Sequence, residues 1–239
     1  RPRLSSVGRR LKFSVIVAAY NEGPQIGSSL KRLRQISQTS PMEVLVVDGC
    51  SDDGTLDAAR EWADEVVDLG KPNRGAQWHA GAEKATGDLL FFLRADAQPP
   101  GSWQQALEHY WLATPMEGLA ATAFSVSYGA GTGLSALSMW SNARVRSGLA
   151  SSDHGLCTTP EIYKAVGGFP AFPVLEDLEF SRRLAARGRI ALLPERLRPA
   201  ARHVHSIGPL SYIARRLWLE TRYKMGSTPE AIFAAAPNL

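Results

Sequence analysis

The sequence predicts an α/β fold in which a mostly parallel sheet is flanked by helices and followed by a helical tail. Short apolar runs rich in valine, leucine and phenylalanine recur along the first hundred residues, as expected of strands buried on both faces. Most of these runs are followed by a segment with apolar residues at helical spacing. This alternation is typical of parallel sheets, whose strands are joined by helical crossovers.

Four strands and three helices are predicted in order along the first half. The strands are KFSVIVA at 12–18, EVLVVDG at 43–49, EVVDLG at 65–70 and DLLFFLRAD at 88–96. The helices are NEGPQIGSSLKRLRQI at 21–36, SDDGTLDAAREWA at 51–63 and RGAQWHAGAEKA at 74–85. Ser51 or Asp52 lies near the start of the second helix, where a capping side chain is expected.

The second half is less regular. Its predicted strands are the segments 118–129, 154–159 and 189–194. Its predicted helices are 133–152, 160–169, the segment between Leu175 and Gly188, and a long terminal helix at 209–226. Residues 198–208 are predicted to be extended. Because no internal repeat or low-complexity linker divides the chain, we expect one domain with a specialised second half.

Composition narrows the class of protein. With 239 residues, 44% of them hydrophobic, the chain can bury a substantial core. No apolar run approaches the roughly 18–20 residues that span a bilayer, so we do not expect an integral membrane protein. The net charge of +4 suits a polyphosphate ligand or an anionic membrane surface. Without a zinc finger, an RNP-like motif or a long basic run, we expect no nucleic-acid partner.

Cysteine usage and the opening segment bear on the compartment. Cys50 and Cys157 are far apart and form no C-x-x-C pattern, which indicates a reduced, cytoplasmic setting with both thiols buried. Residues 1–11 are basic and lack the apolar stretch of a secretory signal. We therefore expect them to form a flexible basic tail.

Acidic residues follow three of the predicted strands. These residues are Glu22, Asp48, Asp52, Asp53 and Asp96. In parallel sheets, ligands bind beyond the carboxyl ends of the strands. Helix capping accounts well for Asp52 or Asp53 but less well for Asp48 and Asp96, which lie directly at strand ends.

The stretch GGFPAFPVLEDLEFSRRL at 167–184 places Glu176 and Asp177 at a helix start. Acidic side chains in a first helical turn accept hydrogen bonds from free amides and meet the positive end of the helix dipole. Capping alone would therefore explain both carboxylates, and only the remaining motifs favour a catalytic role.

Four motifs resemble, in order, those of family-2 glycosyltransferases with the GT-A fold. They are SVIVAAYNE, EVLVVDGCSDDGT, ATGDLLFFLRAD and VGGFPAFPVLEDLEFSRRL, and the resemblance covers roughly residues 12–205. The later block from NARVRSG to RRLAARGR, with its helical tail, is similar to compact bacterial members, some of which are assigned to arsenosugar-type glycoside biosynthesis.

The resemblance implies transfer of a sugar from a nucleotide-diphosphate sugar to an acceptor hydroxyl, with inversion at the anomeric carbon. Asp177 would be the general base and Glu176 would shape the site or help to hold the acceptor. A divalent cation, Mg²⁺ or Mn²⁺, would neutralise the diphosphate. Residues 12–100 would form the nucleotide-sugar-binding half, 101–205 the acceptor and catalytic half of the same domain, and 206–239 a C-terminal helical extension.

The resemblance also implies individual binding residues. The nucleotide would contact Ala19, Tyr20, Glu22, Asp48, Arg74 and Gln77, with Asp48 at the nucleoside base and Glu22 near the ribose. Asp96 matches the last residue of the metal-binding D-x-D motif.

This chain departs from the family pattern at several positions. Arg94 replaces the first carboxylate of D-x-D. Its side chain would either point away from the site or contact the phosphate or the donor sugar directly. Gly49 replaces a second Asp. The Q-x-x-R-W-type acceptor motif is absent, which argues against a processive polysaccharide synthase.

The histidines have two interpretations each. In an extended segment His203 and His205 would point to the same side, and one of them, His205, is a candidate metal ligand. The alternative is a surface or packing role. His154 would contact the acceptor or donor sugar, or would serve ordinary loop hydrogen bonding.

The terminal helix carries Tyr212, Trp218 and Tyr223 beside three arginines. Aromatic residues beside cations suit a membrane interface or a lipid-linked acceptor. They equally suit a helix docked on the domain with its arginines in water, which the amphipathic spacing favours. We expect a cytoplasmic protein. If the terminal helix binds a membrane, the protein would be peripheral at the inner membrane face.

A second class of function stays open. The carboxylates lost at Arg94 and Gly49 would also fit a non-catalytic nucleotide-sugar-binding module with a degenerate metal site. A nucleotidyltransferase is disfavoured, because AAYNEGP after the first strand is not a glycine-rich, basic phosphate loop.

Overall fold

The computed structural model describes residues 10–113, 118–199 and 202–235. The strands of this part of the chain form one sheet: β1 (Phe13–Ala19), β2 (Met42–Asp48), β3 (Glu65–Asp68), β4 (Leu89–Arg94), β5 (Leu119–Val126), β6 (Cys157–Thr158) and β7 (Arg189–Leu197). Their order across the sheet is β3-β2-β1-β4-β6-β5-β7. Only the two-residue β6 runs antiparallel to its neighbours. The predicted mostly parallel α/β sheet is confirmed.

Helices flank this sheet. They are α1 (Gly23–Ile36), α2 (Thr55–Arg60), α3 (Arg74–Lys84), α4 (Trp103–Ala113), α5 (Thr132–Arg146), α6 (Pro160–Ala165), α7 (Glu176–Arg187), α8 (Arg202–Ile207), α9 (Pro209–Lys224) and α10 (Pro229–Ala235). A 3₁₀ turn at Ser152–His154 precedes β6. Within the described residues, no helix is both long enough and apolar enough to cross a bilayer.

The sheet is covered on both faces because successive strand residues point to opposite sides. On one face Phe91 stacks on Trp103 of α4, with ring centroids 4.9 Å apart. On the other face Phe92 meets Trp78 of α3 and Phe169 edge-on. Burying one such ring contributes about 1.5–3 kcal/mol. Adjacent residues of β4 therefore anchor both helical layers.

Several predicted boundaries need correction. Helix α2 begins at Thr55, after Gly54, rather than near Ser51. The carboxylate of Asp53 accepts hydrogen bonds from the first amides of two helices, Thr55 of α2 at 3.2 Å and Gly23 of α1 at 2.9 Å. Strand β7 continues past Pro194, which lies at a shift in its register with β5, where proline is tolerated.

The predicted extended segment at 198–208 is wrong over its second half, which forms helix α8. Val204 is only 2% exposed and packs with Val126 and Leu137, and Ile207 is partly buried, so a short helix suffices to bury the central apolar residue of this stretch. Helices α4 and α10 are not predicted from the sequence at all.

Two minor expectations also change. The predicted tail, residues 1–11, lies outside the described residues except at its end, where Leu11 is fully buried and its amide donates to Glu108. Cys157 is buried as predicted, whereas Cys50 is exposed. The last predicted residues of the extension, 236–239, lie outside the described part of the chain.

Candidate active site

A cavity of about 640 Å³ lies at the carboxyl ends of β1 and β4 and is closed on its other side by α7 and α9. It collects most of the predicted site residues: Ala19, Tyr20, Glu22, Arg74, Gln77, Arg94, Asp96 and Glu176. Chain segments from both predicted halves and from the C-terminal extension therefore build one site.

Four predicted residues do not line this cavity: Asp48, His205, His154 and Asp177. Asp48 is fully buried at the end of β2, where its carboxylate accepts from the amide and hydroxyl of Ser51 at 2.7 and 2.6 Å. His205 is exposed on α8, and a helix does not align residues two apart, so the predicted pairing with His203 fails. The side chain of His203 lies outside what the structure describes.

His154, the third such residue, is 1% exposed within its 3₁₀ turn. The Ser151 amide donates to its Nδ1 at 3.2 Å, and Nε2 lies 3.4 Å from the Ser141 hydroxyl. Burial lowers the pKa of His154 to about 4, so the ring is neutral near pH 7. The loop-stabilising alternative accounts for this histidine.

The start of α3 ties the sheet edge to α7. Arg74 donates through Nε to Glu176 at 2.6 Å, and its guanidinium also lies over Trp78. Gln77 donates to the carbonyls of Ala19 and Val47 at 2.7 and 2.8 Å. Gln77 therefore satisfies the free ends of two strands, which is a structural role that the predicted nucleotide contact did not include.

Asp96 is surrounded by guanidinium groups. Arg202 of α8 donates to one carboxylate oxygen at 2.9 Å, and Arg94 approaches the other at 3.3 Å. Arg202 also reaches Glu22 at 2.6 Å, and Arg94 reaches Asp153 at 3.5 Å. Burial alone would raise the pKa of Asp96, but the charge of Arg94 and the bonds from Arg202 hold it below its ordinary value.

This donor set does not fit a divalent cation held by the protein alone. Hard cations prefer several oxygen ligands, and both oxygens of Asp96 already face arginines. Across the described residues, no three His, Cys, Asp or Glu side chains come together as a metal-ligand set. The replacement at Arg94 thus changes the charge around Asp96 as well as removing one carboxylate.

A chain of alternating buried charges ends at Asp177. Arg216 of α9 donates to Asp177 at 2.9 Å and to Glu220 at 2.8 Å, and Arg144 of α5 donates to Glu220 at 2.5 Å. Asp177 itself is 1% exposed and does not line the cavity, whereas Arg216 does. The tail helix therefore contacts the predicted base directly, and its Arg216 is not in water as the docking interpretation expected.

The two neighbouring carboxylates have opposite pKa shifts. Burial and the charge of Asp177 raise the pKa of Glu176 in spite of Arg74. Burial would also raise the pKa of Asp177, but the charges of Arg216 and Arg74 outweigh it and hold that pKa well below its ordinary value. Asp177 is therefore ionised at neutral pH, as a general base must be.

One strained backbone position lies at the cavity. Among the described residues, the non-glycine residues with positive φ are Asn21, Cys50 and Leu175, at 51°, 69° and 65°. Leu175 immediately precedes Glu176 and lines the cavity. Such conformations cost about 1–3 kcal/mol each and cluster at functional sites. The left-handed Leu175 turns the chain so that α7 begins at the two carboxylates.

Gly75 permits the close approach of α3 to the segment before α7. A Cβ built there would lie 2.1 Å from the Pro170 carbonyl oxygen and 3.0 Å from the Glu176 side chain. We expect Gly75→Ala to lower the free energy of unfolding by about 1–3 kcal/mol through overpacking. Chemical denaturation measures this loss.

Gly27→Ala is the matched control for that experiment. Gly27 also lies inside a helix, and a Cβ there would meet Ala58 at an ordinary 3.7 Å. We expect this change to stabilise the protein by up to about 1 kcal/mol, because alanine is the better helix former. Equal behaviour of the two variants would show that the contact at Gly75 is not tight.

The residues that sequence reasoning missed come from distant segments. Asp153 accepts from Tyr128 at 2.6 Å and from Tyr212 at 3.4 Å beside the Arg94 guanidinium. Arg202 and Arg216 reach the site from α8 and α9. The sequence offered one indirect signal, the arginines of the tail, but no spacing that paired them with a carboxylate.

Part of the chain is similar in sequence to known proteins. The sequence model of the family described as Glycosyl transferase family 2 matches residues 14–161. Glycosyltransferase AglE of Haloferax volcanii is 34% identical over 99 residues, which cover 38% of this chain and 32% of the relative. The 4,4'-diaponeurosporenoate glycosyltransferase of Staphylococcus haemolyticus is 34% identical over 93 residues, covering 36% and 24%. The matches thus span a third or less of these relatives.

Solved structures show the same fold. The mannosyltransferase PcManGT from Pyrobaculum calidifontis, in complex with GDP-Man and Mn²⁺, superposes with a TM-score of 0.69 at 22% identity, over 96% of this chain and 70% of that one. S. aureus TarS 1–349 in complex with UDP-GlcNAc gives a TM-score of 0.61 at 20% identity, over 79% and 58%. The family model matches residues 14–161, more than half of the 239 residues of this chain, so the chain belongs to glycosyl transferase family 2.

Proposed function

We propose that the protein is an inverting glycosyltransferase that moves a hexose-type sugar from a nucleotide-diphosphate sugar to an acceptor hydroxyl. The observation that supports this most is the placement of Asp177. It is ionised, buried at the start of α7, and one residue from Glu176, which lines the cavity beyond β1 and β4. Ligands of parallel α/β sheets bind at such an edge.

The donor would bind along the sheet edge. Tyr20 is 48% exposed in the loop after β1 and offers a ring face to a nucleoside base. Two arginines line the cavity, Arg74 and Arg94, and Arg202 contacts the cavity residue Asp96. Their guanidinium groups would donate charge-assisted hydrogen bonds to the diphosphate oxygens. PcManGT was solved with GDP-Man and S. aureus TarS with UDP-GlcNAc, which makes both nucleotide types suitable probes.

The transfer would be a single displacement. The acceptor oxygen forms a bond to the anomeric carbon while the bond from that carbon to the diphosphate oxygen breaks, and the electron pair leaves with the diphosphate. The acceptor proton passes to Asp177. Because Arg216 lines the cavity and contacts the carboxylate, it would have to yield one hydrogen bond to the incoming hydroxyl.

A divalent cation, if bound, would supply positive charge at the diphosphate. The described carboxylates nearest this position are Asp96 and Glu22, and arginines already contact both of them. We therefore assign no step to a metal, and we propose that Arg94 and Arg202 carry this charge neutralisation.

A thermal-shift screen tests the proposal. UDP, GDP and their common sugar conjugates are added with Mn²⁺, Mg²⁺ or EDTA. A ligand at 100 times its Kd adds about 2.7 kcal/mol, which for a chain of this size raises Tm by about 5–10 °C. We expect one nucleotide class to give this shift and EDTA to preserve most of it. Absence of a shift with every nucleotide would contradict the proposal.

Release of nucleoside diphosphate separates the enzyme from its rival. Release of nucleoside diphosphate from the bound donor, by slow hydrolysis or by transfer of the sugar, would support the glycosyltransferase. Binding without any release would favour the non-catalytic nucleotide-sugar-binding module, which the replacement at Arg94 suggests.

A further inference from the structure

Exposed apolar side chains are concentrated on the C-terminal helices. The large hydrophobic residues that the described chain exposes most are Tyr20, Met139, Leu210, Leu217, Trp218, Met225 and Phe233. Tyr20 belongs to the cavity, while four of the others lie on α9 or at its C-cap. Clustered apolar exposure of this kind marks an interaction surface.

Helix α9 buries both charged and apolar side chains and leaves further apolar side chains exposed. Arg216 and Glu220 point inward, and Glu220 is 2% exposed. Leu210 and Met225 are 79% and 77% exposed, and Leu217 is 45% exposed. At 3.6 residues per turn these apolar positions share one side of the helix. The inner side carries this charged pair at the site together with Leu219, which packs in the core. The apolar residues of the outer side have no such core partners and are left exposed.

The exposed charges of α9 itself have one sign. Glu220 is the single acidic residue of α9, and it is buried. Arg222 and Lys224 are exposed, and the Arg222 guanidinium lies 5.8 Å from the centre of the Trp218 ring. A tryptophan beside cations on an apolar surface suits the boundary between lipid headgroups and acyl chains.

We propose that the outer α9 face, made of Leu210, Leu217, Trp218, Met225, Arg222 and Lys224, binds the surface of a bilayer that contains anionic lipid. The charge complementarity carries this choice of occupant. A symmetric pairing of two copies through the same face would bring like charges together, which is unfavourable.

The proposed surface also bears on the acceptor, a consequence that rests on the proposed function. Tyr212, Arg216 and Leu219 of the same helix line the cavity. A helix with its side chains is about 10–12 Å across. The cavity of a bound protein would therefore lie about one helix diameter from the headgroups, within reach of an acceptor hydroxyl on a lipid-linked substrate.

Vesicle flotation tests the surface without any nucleotide, so its failure is distinct from failure of the glycosyltransferase proposal. The full chain is mixed with phosphatidylcholine vesicles containing about 30% phosphatidylglycerol, or with pure phosphatidylcholine. Near an anionic leaflet each Lys or Arg strengthens binding about fivefold. We expect flotation with the anionic vesicles, weakened by salt, and about 25-fold weaker partitioning for the Arg222→Gln/Lys224→Gln variant.

Matched variants complete the experiment. Leu217→Ser/Trp218→Ser should lose flotation while the protein stays folded, because the two side chains are 45% and 42% exposed and belong to none of the core clusters of the described residues. Lys164→Gln/Arg187→Gln removes two exposed cations from α6 and α7 and should float like the parent chain. Equal loss in this control, or no flotation of the parent, would overturn the proposal. So would a solution dimer that Leu217→Ser/Trp218→Ser dissociates.

Discussion

Asp177→Asn is expected to lower the rate of sugar transfer by a factor of about 10²–10⁴, the usual contribution of a general base. The Asp177 carboxylate accepts from Arg216, from the Ser152 amide at 2.9 Å and from the Leu178 amide at 2.7 Å. Asparagine keeps the shape of this group but cannot take a proton at neutral pH. Nucleoside-diphosphate release under saturating donor measures the loss.

Glu179→Gln is the matched control for that variant. Glu179 lies on the same helix and is also paired, with Arg183 at 2.9 Å. Arg183 does not line the cavity, whereas Arg216, the partner of Asp177, does. We expect it to keep nearly full turnover. The donor-induced thermal shift of Asp177→Asn should equal that of the parent, which verifies folding and donor binding. Unchanged turnover in Asp177→Asn would remove Asp177 from the role of base.

Arg216→Met is expected to lower the free energy of unfolding by about 3–5 kcal/mol at neutral pH, because it leaves buried carboxylates without their shared cation. The charge of Arg216 holds the pKa of Asp177 down in the folded state, against the effect of burial. Such a group stabilises the fold above its unfolded pKa of about 3.9 and loses that contribution as the pH falls. The difference between parent and variant should therefore be largest above pH 5 and should narrow below about pH 4.

The pH dependence of turnover distinguishes positioning of the base from stability alone. Removing Arg216 raises the pKa of Asp177, so the acidic limb of kcat/KM should move to higher pH in any Arg216→Met protein that stays folded. Arg216→Lys keeps a cation and should restore much of the parent profile. An unshifted acidic limb in Arg216→Met would show that Arg216 does not set the ionisation of the base.

Local patterns were enough for the sheet. Strands such as β1, β2 and β4 are continuous apolar runs, and burial on both faces is the physical reason that such runs form central parallel strands. Prediction failed where the pattern was weak. The stretch around Val204 offers only Val204 and Ile207 as large apolar residues, too few to establish a strand or a helix period. The helix there depends on the packing of Val204 on β5 and α5.

The sequence predicted some residues of the candidate site but not all of their contacts. Tyr20 and Arg74 were predicted from the family resemblance. Glu22 and Asp96 were predicted at the site because each follows a strand, and strand ends of a parallel sheet meet at one edge. Asp48 shares that position but turns its carboxylate to Ser51 instead. Position along a strand thus predicts the edge that a residue reaches, whereas its hydrogen-bond partners depend on the loop.

The sequence by itself determined the parallel sheet, the order of its motifs and the presence of two carboxylates at the start of α7, because all three depend on local periodicity and spacing. Only the tertiary structure decided which cations meet those carboxylates. Arg216 lies 39 positions from Asp177, and Arg202 lies 106 positions from Asp96. Pairing of charges across such separations has no sequence period, since it depends on how α8 and α9 fold back over the sheet edge.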